Sequence, residues 1–277
     1  MNALEIEGLT KHRDGFSLSG INLTLPSGCI MGLIGENGAG KTTTIKLALD
    51  MIKKDSGTVR MLGKESSEIS REDIGVVLDE VGLPSCLTAK QVDKIMRRAY
   101  KNWSSEEFFA YLRRLNVPED KAFSTLSRGM KMKLGIACAL SHKAKLLILD
   151  EATSGLDPVV RDEVIDILLD FTREEEHSVL ISSHIVSDLE KICDYIAFLH
   201  KGKLMLCEEK DSLYEQYGII RCAESALLNI EPSAVIGKRV SSFGAEAIVR
   251  RDAVPAGMSI APVGIEELFV FMVKEAA

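Results

Sequence analysis

A chain of 277 residues, nearly half of them apolar, can bury one sizeable α/β core plus a small appendage and is too apolar to stay disordered. Its 41 acidic residues outnumber 34 basic ones, for a formal charge of −7. That balance argues against binding by neutralising nucleic-acid phosphates and gives no general attraction to anionic lipid.

The N-terminal MNALEIEGLT carries acidic residues where a signal peptide needs a basic start and an apolar run. Residues 3–9 and 16–25 alternate like strands, with a turn at Pro26-Ser27-Gly28. Cys29 to Ile34 is a short apolar run suited to a buried parallel strand. A helix is predicted from Lys41, with Ile45, Leu49 and Ile52 on one face, followed by strands at Gly57–Leu62 and Ile74–Leu78. Residues 88–141 turn mostly helical and rich in Lys and Arg, the bulk of a helical insert over about 80–141. Leu146–Leu149 is again a fully apolar strand, and Pro158 is placed to open a helix running to about Glu176. Val179–Ser182, Tyr195–Leu199 and Lys203–Leu206 complete the strands of this part.

After Gly218 the texture changes: residues 219–260 read as short strands, and Gly264-IEELFVFMV as a helix with Ile265, Leu268, Phe269 and Met272 at helical spacing. The expected architecture is a mostly parallel α/β sheet with a small antiparallel N-terminal β layer and a helical insert. Residues 1–217 form that domain and 218–277 a small C-terminal α+β appendage, either a packing extension or a regulatory, partner-contacting module. Cys29, Cys86, Cys138, Cys193, Cys207 and Cys222 show no Cys-x-x-Cys pair and read as reduced thiols. No stretch approaches the ~18 consecutive apolar residues of a spanning helix, so membrane attachment is expected to need another protein.

Gly35-Glu36-Asn37-Gly38-Ala39-Gly40-Lys41-Thr42 fits G-x-x-x-x-G-K-[ST], between a buried strand and a helix. Glycines let the backbone curl so that N–H groups point at phosphate oxygens, and the helix start adds partial positive charge. Lys41 is suited to bridge β- and γ-phosphates, the Thr42 hydroxyl to ligate Mg²⁺, and Thr43 to extend the cradle. LLILDE places Asp150 and Glu151 at the end of a buried strand, facing the crevice where open α/β sheets bind ligands. Asp150 suits the Mg²⁺ shell, usually through water, and Glu151 suits a general base for water.

Between these motifs, Leu126-Ser127-Arg128-Gly129-Met130 resembles the ABC signature, whose common form is LSGGQ and whose exporter-branch form often ends in Gly-Met. Asp150 follows Ser127 by 23 residues and precedes His184 by 34, as in that family; Ser154-Gly155-Leu156-Asp157 resembles its D-loop, and Ser182-Ser183-His184 its switch histidine. The resemblance covers the chain to about residue 217. It implies an ATPase subunit of an ABC transporter, using ATP and Mg²⁺, whose two copies (identical or related) dock head to tail. Ser127, Gly129 and Asp157 would then contact the partner's nucleotide, and His184 the γ-phosphate and the attacking water. A separate integral membrane permease would hold the chain, otherwise cytoplasmic, on the inner face of the membrane, with export of peptides, antibiotics or lipid-like cargo. The alternatives are a soluble ABC ATPase of ribosomes or DNA, and a small-molecule kinase. The −7 charge, the single nucleotide domain and the short 53–125 segment disfavour the first, and the LSRGM and SGLD segments the second.

Two positions depart from the family. Asp79 stands where a glutamine usually reaches the metal, and is either a metal-site carboxylate or a plain strand-end one. The aromatic that stacks on adenine is missing from Lys11-His12-Arg13-Asp14. Arg13 is the candidate there, with Phe16, His12 or a solvated loop as alternatives.

Overall fold

The apolar runs come together as the middle of one sheet in the computed structural model, which describes residues 1–242, 244–255 and 257–275. The chain begins with β1 (Asn2–Arg13), β2 (Phe16–Pro26), β3 (Ile30–Ile34), α1 (Lys41–Ala48), β4 (Ser56–Met61), β5 (Lys64–Glu65) and β6 (Ile74–Val77). The insert holds α2 (Ala89–Ala99), α3 (Ser105–Arg114) and α4 (Arg128–Leu140). Then follow β7 (Leu146–Asp150), α5 (Pro158–Phe171), β8 (Ser178–Ser183), α6 (Val186–Ile192), β9 (Tyr195–His200), β10 (Lys203–Glu209) and α7 (Lys210–Gln216). The last part comprises β11 (Tyr217–Cys222), α8 (Glu224–Leu227), β12 (Val235–Ser241), β13 (Gly244–Arg250) and α9 (Ile265–Glu275).

Six strands form the central sheet in the order β10-β9-β3-β8-β7-β6, all parallel except the edge strand β10. Alternation along each strand feeds two cores. Ile30, Leu147, Leu149, Val179 and Ile181 share one with α4, α5, α6 and α9, whereas Met31, Leu33, Ile148 and Leu180 share the other with α1 and the N-terminal strands. Coverage on both faces explains why β3, β7 and β8 are fully buried and mostly apolar, with Asp150, Ser182 and Ser183 as polar residues at the strand ends. The antiparallel layer, β2-β1-β4-β5, lies on the α1 side.

Local signals start the insert helices. Thr88 and Gln91 form a reciprocal capping box on α2, while Ser104 and Ser127 cap α3 and α4. The buried Asp93 carboxylate accepts from Trp103 Nε1 at 2.9 Å and Ser105 Oγ at 2.5 Å, tying α2 to α3. Among the described residues no helix is long and apolar enough to cross a membrane.

Two expectations need correction, and two helices were not expected. The helix from Lys41 stops at Ala48, because Asp50 takes a left-handed backbone (φ 54°), so Leu49 and Ile52 lie beyond it. The helix opened by Pro158 ends at Phe171, with Thr172 as its C-cap, five residues short of Glu176. Helices α6 and α7, seven residues each, occupy segments to which the sequence assigned no element, although Val186, Leu189 and Ile192 stand at helical spacing in α6.

The segment after 217 has its own antiparallel sheet, β11-β13-β12, yet it is joined to the main body by a shared core. The Phe269 ring packs at 5.1 Å from that of Phe198 on β9, and Glu190 of α6 accepts from both Tyr214 Oη and the Ile265 N–H that starts α9. Phe269→Ala is expected to cost about 3–4 kcal/mol. Denaturant unfolding read by the fluorescence of Trp103 and by circular dichroism should shift as one transition. A separate early transition would mean that the appendage folds on its own.

Candidate nucleotide site

The loop between β3 and α1 is shaped by two glycines. A Cβ on Gly35 would come within 2.5 Å of the Leu199 carbonyl oxygen, and one on Gly40 (φ 112°) within 2.9 Å of the Phe16 ring. The chain therefore lies directly on the end of β9 and enters α1 through a left-handed residue. The first turn of α1 leaves the N–H groups of Lys41, Thr42 and Thr43 without intrahelical acceptors, which makes it an anion cradle. Glu36, Asn37, Gly38, Gly40, Lys41, Thr42 and Thr43 line the cleft that this loop borders, whereas Gly35 and Ala39 face the protein. Ala39 is bonded there to Gly202 N–H at 2.9 Å.

Lys41 is 6% exposed, and its Nζ donates to the Gly35 carbonyl at 2.6 Å and the Glu36 carbonyl at 3.3 Å. It also lies 3.1 Å from Glu151 Oε1, while Glu151 Oε2 lies 2.7 Å from His184 Nδ1. The three residues expected to carry the chemistry thus meet at one carboxylate. Parallel register makes the meeting possible: Asp150 pairs with Ser182 and Ile34 with Ser183, so the three strand ends finish level.

Just beyond β7, Glu151 adopts φ 53°, an unfavourable conformation for a side chain of its kind, and its N–H donates to both Ser182 O and Ser182 Oγ at 3.1 Å. The Ser182 hydroxyl in turn donates to Asp150 Oδ1 at 2.6 Å. Sequence reasoning used Ser182 only as context for His184. Its signal was the matching rank of Asp150 and Ser182 near the ends of two apolar strands. Asp150 is fully buried, and its Oδ2 has no hydrogen-bond partner among the described residues. An orphaned carboxylate oxygen costs about 1–3 kcal/mol or more, and with the Thr42 hydroxyl beside the cleft the hard oxygen donors fit a divalent cation such as Mg²⁺.

Ser127, Gly129 and Asp157 do not line this cleft. Ser127 Oγ accepts from Met130 N–H at the start of α4, and Asp157 Oδ1 from Val160 N–H at the start of α5. The Gly129 backbone lies against Leu156 and Gly155, so signature and D-loop form one surface. Arg161, also missed from the sequence, secures that surface from behind: Nη2 donates to Leu156 O at 3.2 Å, and Nε lies 3.4 Å from the buried Asp188 on α6. Burial pushes the Asp188 carboxyl above the usual carboxylate range, against the opposing pull of Arg161.

Asp79 is brought to the cleft, but its Oδ1 is bound by Arg128. Arg13 and Phe16 line the cleft, whereas the His12 ring bonds Ser17 Oγ at 2.8 Å and does not line it. A second, more apolar groove runs between β6 and the insert, past Val76, Val81, Leu83, Met96 and Tyr100.

A phosphate-binding loop ending in Lys-Thr, followed on the neighbouring strands by an Asp-Glu pair and a histidine, defines a P-loop ATPase. The particular family follows from comparison with known proteins. The family model described as ABC transporter matches residues 18–154. The chain is 33% identical over 230 residues to the ABC transporter ATP-binding protein YtrB of Bacillus subtilis (strain 168), covering 82% of this chain and 79% of that one. It is 38% identical over 208 residues to the bacitracin transport ATP-binding protein BcrA of Enterococcus faecalis, covering 73% and 68%. A solved ATP-binding subunit of an ABC transporter superposes with a TM-score of 0.69 at 25% identity, covering 76% of this chain and 91% of that one. The chain belongs to the ABC transporter family as an ATP-binding, ATP-hydrolysing subunit.

Ser182→Ala removes the donor to Asp150 and one acceptor for Glu151 N–H. A loss of about 1–3 kcal/mol in thermal or denaturant unfolding is expected. Unchanged stability would show that the hydroxyl does not hold the strand ends.

Proposed function

We propose that the cleft binds ATP with Mg²⁺ and that Glu151 prepares a water for in-line attack on the terminal phosphate. The observation that carries this reading is the Glu151 carboxylate between Lys41 and His184, at 3.1 and 2.7 Å. Lys41 and the free N–H groups at the start of α1 bind the β- and γ-phosphates. The ammonium then exchanges Glu151 for phosphate, which frees the carboxylate to take a proton from water. His184 holds the other carboxylate oxygen and thereby orients the base. Thr42 and Asp150 would hold Mg²⁺, which supplies charge neutralisation across the phosphate oxygens. Arg13 and Phe16 offer the base a flat, partly cationic wall.

A second copy, or a related chain, completes the site with its own Ser127, Gly129 and Asp157. Their absence from the lining of their own chain's cleft supports that arrangement, and so does the exposed helix start at Ser127, a ready anion site. ATP draws the two subunits together head to tail, and loss of the γ-phosphate loosens them. A separate permease places a cytosolic helix in the apolar groove between β6 and the insert, which couples this cycle to transport and holds the chain at the inner membrane face. Likeness to a bacitracin transport subunit, together with the LSRGM form, supports export of peptide antibiotics or similar amphiphiles.

In Glu151→Gln, ATP binding is expected to persist while turnover falls by roughly 10²–10⁴-fold, with ATP-bound dimers accumulating in size-exclusion chromatography. Hydrolysis at the parental rate would remove Glu151 as the base. Lys41→Ala should instead weaken binding itself, read by titration with a fluorescent ATP analogue.

A further inference from the structure

Two of the positions where this chain differs from the common family form are in contact with each other. Asp79 occupies the usual glutamine position, and Arg128 the place of the first glycine in LSGGQ. Arg128 Nη2 lies 2.5 Å from Asp79 Oδ1, although the residues are 49 apart in sequence. The arginine stem passes over the D-loop on its way: its Cδ and Nε are 3.7 and 3.8 Å from where a Cβ on Gly155 would stand. That D-loop glycine leaves room for the side chain. One guanidinium thus joins the first turn of α4, the D-loop and the end of β6.

The electrostatic consequence concerns the nucleotide. Asp79 lines the same cleft as Lys41, Thr42 and Glu151. A bare carboxylate there would repel an incoming triphosphate, and Glu151 already contributes one negative charge. Two other cations line this cleft: Lys41 is engaged by Glu151, and Arg13 makes no ion pair with Asp79 among the described residues. Lys131, the other cation beside Asp79 and Arg128, sits over the Phe123 ring at 5.2 Å. Cancellation of the Asp79 charge therefore falls to Arg128.

We propose that Arg128 is a positioning residue for ATP binding in its own chain: it holds Asp79 aside and neutralises it at the rim of the triphosphate cleft. Asp79 on this account is the partner of Arg128, not a metal ligand, and the two departures compensate for one another. The proposal rests on the nucleotide reading given above.

A double-mutant cycle tests it on the full-length chain, by titration with a fluorescent ATP analogue plus Mg²⁺ at concentrations where light scattering shows monomer. Arg128→Gly bares the carboxylate and should raise Kd on the order of ten-fold, with the loss shrinking as ionic strength rises. Arg128→Lys should bind within about three-fold of the parent, since the charge is kept while the planar fork is lost. Asp79→Gln alone should bind at least as well as the parent. Asp79→Gln with Arg128→Gly should return Kd to within about two-fold of it. Melting temperatures of all four variants separate these effects from loss of folding. Parental affinity in Arg128→Gly, or no recovery in the double variant, overturns the proposal. So does a loss in Asp79→Gln that appears only with Mg²⁺, the signature of a metal ligand. A parental chain that binds no nucleotide would sink the nucleotide reading, and this proposal with it.

Discussion

The site depends on one carboxylate being shared by a lysine and a histidine at the level end of a parallel sheet. Lys41 is almost wholly removed from water, and a buried ammonium costs several kcal/mol unless it is paired and hydrogen-bonded. Two loop carbonyls and Glu151 meet that requirement. Glu151 reaches Lys41 and His184 from a left-handed backbone just beyond β7, which the two hydrogen bonds from its N–H to Ser182 secure. Each of these contacts needs β3, β7 and β8 to end together. The register of a parallel sheet, with every pair one residue in step, supplies that condition.

The remaining motif residues follow a different logic. Ser127, Gly129, Leu156 and Asp157 lie together where two helices begin, and the Ser127 and Asp157 side chains cap those helix starts. A capping serine at the head of α4 leaves further N–H groups of the first turn facing outward. One chain therefore presents an anion cradle in one place and a second anion-seeking helix end in another. Under the proposed head-to-tail pairing, a two-fold axis brings each cradle to the other chain's helix end, forming two equivalent sites. Arg161 makes that surface stiff, because it ties the Leu156 carbonyl to Asp188 in the helix just after His184.

What could be read from the chain was what backbone geometry demands locally. Gly35 and Gly40 are required by close approach and by a left-handed turn, and the G-x-x-x-x-G-K-T spacing displays both demands. Fully apolar runs such as Leu146–Leu149 are strands because both faces are covered. The misses were of two kinds. The apolar spacing of α1 runs on through Leu49 and Ile52, yet one left-handed aspartate, Asp50, ends the helix; α6 and α7 span two turns each, too short for their pattern to stand out. Contacts between distant positions were hidden altogether. Asp150–Ser182, Arg161–Asp188 and Asp79–Arg128 depend on strand order and on where the insert folds back, neither of which leaves a mark on spacing. Arg13 and Phe16 were named without a means of choosing, and both line the cleft.

The C-terminal segment bears on the nucleotide site through a short physical path. Phe269 of α9 packs on Phe198, the next residue of β9 is Leu199, and the Leu199 carbonyl is what forbids a side chain at Gly35. Two residues of one strand thus separate the appendage from the phosphate cradle. Close-packed interiors transmit displacement rather than absorbing it, so β9 cannot shift at Phe198 without moving the floor on which the loop rests. Glu190 adds a second tie, since α6, which follows His184, also supplies the acceptor that starts α9. These contacts favour a segment that braces the catalytic domain over a module that swings free of it.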